Sequence, residues 1–94
     1  MTPEEELSRA ERARQILEDP MFSAAVKELD EALLLALRKT AFNDSTLRNK
    51  VQDRYSALHD VLDILRTHIE TGKLARAQIE QQSLMQRMKE RIYS

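Results

Sequence analysis

His59, Asp60 and Asp63 are the residues whose types and spacing come closest to a reactive cluster. His59 and Asp63 stand one helical turn apart, so a metal ion or an acid/base pair could in principle sit between them. Both flank a line of leucines, Leu58, Leu62 and Leu65. The plainer expectation is an ion pair on an exposed helix surface, worth a few tenths of a kcal/mol. The serines at 8, 23, 45, 56 and 83 fall in helical or capping contexts, and none sits on a glycine-flanked elbow. There is no cysteine, and the single glycine cannot build a phosphate-cradling loop. Glu5/Glu6 and Asp30/Glu31 are neighbours in sequence, which a helix points apart, so both pairs read as solvated charge. No catalytic, cofactor-binding or metal-binding residue is assigned, and no enzyme is expected.

The remaining chemistry is that of surfaces. Lys73, Arg76, Arg87, Lys89 and Arg91 face only Glu80 and Glu90 over residues 73–94, and could contact phosphates of DNA. No aromatic interleaves them and no base-reading motif surrounds them, so the signal is weak. Residues 1–42 are the acidic counterpart, with six Lys/Arg against nine Asp/Glu. Met85 and Met88 offer an adaptable partner surface.

Helices must position these residues. The chain has 94 residues, 41% hydrophobic and 33% charged, with one glycine and two prolines. That composition suits an all-α domain. Helix A is expected over 3–18, capped by Thr2 with Glu5, and carries a thin stripe of Leu7, Ala10, Ala13, Ile16 and Leu17. Asp19-Pro20 then turns a corner: Asp19 caps and Pro20 opens a new helix, B, over 20–40. Helix B carries Phe22, Ala25, Val26, Leu29, Ala32, Leu33, Ala36 and Leu37 on one face. Leu34 and Leu35 widen it towards a second neighbour.

The polar cluster from Ala41 to Thr46 reads as a turn that offers Asp44, Ser45 or Thr46 as cap. Helix C, over 45–71, repeats Leu47, Val51, Tyr55, Leu58, Leu62, Leu65 and Ile69 in a heptad-like seam. Ala57, Val61, Ile64 and His68 form a second stripe. Gly72 falls where a left-handed C-terminal cap is expected, although a continuous rod through it costs only about 1 kcal/mol. A tail helix over 73–94 sets Leu74, Gln78, Gln81, Met85, Met88 and Ile92 on one line. The division expected is therefore a core of 1–72 and a tail of 73–94. Helices B and C form an antiparallel hairpin, helix A is short and N-terminal, and the whole belongs to an oligomeric bundle.

A core this small needs reinforcement, and without cysteine or a zinc cluster oligomerisation is the route left. The expected homo-oligomer interface is Leu34, Leu35, Val61, Ile64, His68, Met85, Met88 and Ile92. The acidic start is not read as a signal peptide and no apolar run reaches membrane-spanning length. A cytoplasmic location without membrane or small-molecule partner is the expectation.

Arg12-Ala13, Ile16-Leu17, Asp19-Pro20-Met21-Phe22 and Leu29, followed by Leu62, Leu65-Arg66, Ile69 and Thr71-Gly72-Lys73-Leu74-Ala75, resemble short helical proteins of tailed bacteriophages and prophages. That group tends to accompany head and DNA-packaging genes. This chain departs from it in having no tryptophan between Leu35 and Phe42. The resemblance implies virion assembly or packaging, with the small terminase subunit as an analogue, and a large terminase or portal protein as partner. It implies a host-cytoplasm location with virion association. The alternative is an adaptor or inhibitor that grips one protein through its C-terminal tail.

Overall fold

The structure is a computed structural model and describes residues 1–93. These residues form three helices and no strand: α1 (Pro3–Glu18), α2 (Pro20–Lys39) and α3 (Ser45–Tyr93). Ser94, the last residue of the expected tail, lies outside the described residues.

Local chemistry sets each helix start. The Thr2 hydroxyl accepts from the Glu5 N–H at 3.2 Å, which satisfies one of the donors that a first turn leaves open. Glu4, Glu5 and Glu6 complement the positive end of the dipole there. At the corner, Asp19 adopts an extended backbone (φ −63°, ψ 124°), as a residue before proline prefers. Its Oδ1 accepts from the Phe22 N–H at 2.8 Å, and Pro20 takes the first-turn position where no N–H is needed. The Ser23 hydroxyl donates back to the Leu17 carbonyl at 3.0 Å, tying the end of α1 to the start of α2. Of the three cap candidates for α3, Asp44 serves: its Oδ1 accepts from the Leu47 N–H at 3.1 Å.

Two compact units share these helices. One comprises Gln15–Ile64, and the other comprises Met1–Arg14 with Leu65–Ser94.

In the unit of residues 15–64, α2 and the first part of α3 bury Leu33, Val51 and Leu62. Phe22, Val26, Asp30 and Leu37 are half-buried on α2, with Tyr55, Leu58 and His59 on α3. The seam from Val51 to Leu62 is therefore where the heptad spacing puts it. Its expected first member, Leu47, is exposed instead. Asp30, expected on the solvated side, lies on the inner line, and Ala25, Leu29, Ala32 and Ala36 are exposed. α2 is apolar over so much of its circumference that spacing alone does not single out one inner face.

In the unit of residues 1–14 and 65–94, the buried residues are small: Ala13, Gly72 and Ala75, the last only 1% exposed. Gly72 is not a cap. α3 runs through it without a positive φ, so the expected break between a helix ending at 71 and a tail starting at 73 is absent. What requires glycine is a close approach. A Cβ built on Gly72 would overlap the Ala10 Cβ, with the Glu6 carbonyl oxygen at 3.6 Å and the Ala10 Cα at 3.7 Å.

Candidate functional site

His59 is held from another helix. Its Nε2–H donates to Asp30 Oδ1 at 2.9 Å, across 29 residues of sequence. Tyr55, one turn earlier, sets its ring 4.3 Å from the imidazole at a 41° tilt. The expected helical pair with Asp63 is therefore replaced, for His59, by a contact between α2 and α3. Both partners keep about a third of their side-chain surface exposed. A pair this wet contributes roughly 0.2–1 kcal/mol and acts mainly to fix which residues face each other. Among the described residues, no three His, Cys, Asp or Glu side chains gather as a metal site would require.

Beside this pair the same unit carries a shallow apolar groove of about 420 Å³, lined by Leu29, Leu33, Arg54, Ala57, Leu58 and Val61. Val61 is the one member of the expected interface that the groove includes. Leu35 and Ile64 are exposed elsewhere on this unit, and Leu34 is half-buried. Leu29 and Arg54 were not foreseen. Leu29 reads from sequence as an inner-face residue, whereas in the structure it is exposed and the next residue, Asp30, turns in to meet His59. Phe42, in the turn before α3, is 96% exposed.

The other unit carries a more polar groove of about 530 Å³, lined by Leu7, Ala10, Glu11, Arg14, Ile69, Gly72, Lys73 and Arg76. It brings together two of the five expected phosphate contacts, Lys73 and Arg76, and adds Arg14 from α1. Arg14 and Lys73 already have local partners. Arg14 Nε donates to Glu11 at 3.1 Å, and Lys73 Nζ donates to Glu70 at 3.0 Å. Arg87, Lys89 and Arg91 do not line this groove and are exposed farther along α3. His68, of the expected interface, is half-buried here.

From Glu80 to Ile92 every side chain is exposed. Met85, Met88 and Ile92 therefore stand in water, as does Leu84. Leu74, counted on the same line, is 74% exposed.

Among the described residues no helix is long and apolar enough to cross a membrane. No family model matches the chain, and no curated protein or solved structure is significantly similar to it.

Proposed function

We propose that the chain is a non-enzymatic protein that works by self-association and multivalent partner binding. In this reading α2 and the first part of α3 form an antiparallel hairpin, and copies of it pack into an oligomeric bundle. The observation that carries the reading is the imbalance between buried and wet apolar residues. Among the described residues only Ala13, Leu33, Val51, Leu62 and Ala75 form the buried core, and no large side chain is fully buried. Leu29, Leu35, Val61 and Ile64 remain exposed in one unit, and Leu74, Leu84, Met85, Met88 and Ile92 in the other. Exposed apolar side chains in this density mark surfaces that a partner covers. Symmetric association of identical chains is a common way to cover the first set, and binding to a partner protein is the way proposed for the second.

The setting in virion assembly or DNA packaging, in the manner of a small terminase subunit, rests on the resemblance around Asp19-Pro20-Met21-Phe22 and Thr71-Gly72-Lys73-Leu74-Ala75. In that setting the partner is a large terminase or portal protein. Many tails held in one assembly would add their weak contacts, to DNA through Lys73, Arg76, Arg87, Lys89 and Arg91 as well as to protein.

Native mass at micromolar concentration is the test of self-association. An oligomer that Val61→Asp with Ile64→Asp disperses supports the reading, and a monomer throughout the range sinks it. A second reading, a monomeric adaptor that grips one protein through its tail, is favoured by the unbroken exposure of Glu80 to Ile92.

A further inference from the structure

The exposed end of α3 has a seam with a definite charge. Gln81, Met85, Met88 and Ile92 follow one another at steps of four, three and four, the spacing that turns a helix face towards one partner helix. Leu84 borders the seam beside Met85. The positions flanking such a seam decide which helix can lie against it. Here the charged flanking residues are Lys89, next to Met88, and Arg91, next to Ile92. Both are basic and both are exposed. The carboxylates of this segment, Glu80 and Glu90, fall on the outer positions of the heptad, away from the seam. Arg87 is on an outer position too, and adds to the positive field of the segment.

A second copy of this segment is a poor occupant. In parallel pairing Lys89 would meet Leu84 of the second copy. In antiparallel pairing through Met85 and Met88 it would meet Gln82, and Arg91 would meet Leu84. Neither arrangement brings a carboxylate to a flanking cation, and both gather four cations along one short seam. A helix with an apolar line and acidic flanks would cover the methionines and give each cation a partner. Met85 and Met88 add tolerance to irregular packing, which suits a foreign surface better than a self-complementary one.

We propose that residues 81–92 are a docking seam for an acidic amphipathic helix of a partner protein, and that Lys89 and Arg91 select that helix over a second copy of this chain. The proposal rests on the reading of the chain as a partner-binding protein and is independent of whether other surfaces self-associate.

The test uses the full chain and two synthetic three-heptad peptides with leucine in the seam, one with glutamate and one with lysine at the flanks, followed by fluorescence anisotropy. The glutamate peptide binds at low salt at least about tenfold more tightly than the lysine peptide, a gap of about 1.4 kcal/mol. Met85→Asp with Met88→Asp abolishes the binding while helix content stays unchanged. Lys89→Glu with Arg91→Glu reverses the preference towards the lysine peptide, a gain that misfolding could not produce. Equal binding of the two peptides overturns the proposal. So does low-salt self-association that Met85→Asp abolishes. Duplex DNA is the third probe: DNA binding that outlasts the methionine variants, with no binding of the glutamate peptide, assigns the cations to phosphate contact and also overturns it. A monomeric native mass, by contrast, sinks the self-association reading and leaves this seam standing.

Discussion

Gly72 and Ala10 approach so closely that position 72 has no room for a Cβ. Glycine inside a helix ordinarily costs about 1 kcal/mol relative to alanine, so an alanine substitution there should normally stabilise. Here the sign reverses. Overpacking against a methyl that cannot swing away costs about 1–3 kcal/mol, which exceeds the propensity gain. Gly72→Ala is therefore expected to lower stability in urea titration at fixed protein concentration. Adding Ala10→Gly to it recovers part of the loss by clearing the space. A Gly72→Ala protein more stable than the parent would refute the close approach.

Asp19 tests the corner in the same way. Asp19→Ala removes the acceptor of the Phe22 N–H and is expected to cost about 1 kcal/mol, whereas Asp19→Ser keeps a cap and costs a few tenths. Thermal melts followed by circular dichroism separate the two. Equal melting of both variants would show that the side chain of residue 19 is not the cap.

The contact between Asp30 and His59 calls for a double-mutant cycle. Asp30→Ala, His59→Ala and the double variant should give a coupling of roughly 0.2–1 kcal/mol, as expected of a half-exposed hydrogen bond between side chains. A coupling of zero at low salt would remove the pair as a determinant of how α2 faces α3.

Leu62 and Val61 are adjacent in sequence and opposite in burial, which makes them a matched control. Leu62→Ala should cost about 2–4 kcal/mol, because it opens the core. Val61→Ala should change stability by less than about 0.5 kcal/mol in the dissociated chain, as surface substitutions do, and should act instead on association. The outcome to watch for is a Val61→Ala protein as unstable as Leu62→Ala, which would place Val61 in the core.

Much of this molecule is written in short-range signals. Thr2, Asp19-Pro20 and Asp44 mark helix starts through hydrogen bonds that reach only three residues, so local sequence suffices to find them. The seam through Val51, Tyr55, Leu58 and Leu62 was equally legible, because its steps of four, three and four are unbroken, whereas the stripe beside it is interrupted by small and polar residues at Ala57 and His68. α2 lacks that contrast. With apolar residues over more than half its surface, its spacing alone leaves several rotations open, and the one adopted sets Asp30 against a histidine 29 residues away. Gly72 was ambiguous for another reason. A glycine that caps and a glycine that admits a neighbour have the same sequence signature, and only Ala10 distinguishes them. For the interaction surfaces, sequence located Met85, Met88 and Ile92 but not Leu29 or Arg54, whose exposure depends on the rotation of α2.

The small residues at Ala13, Gly72 and Ala75 also shape the response to temperature. Opening a contact made of methyls and bare backbone hydrates little new apolar surface. The heat-capacity increment of that unit is then low for its length, since apolar hydration is the main positive contribution. A low increment reduces the curvature of free energy against temperature, so the contribution of this contact to stability changes little around its maximum.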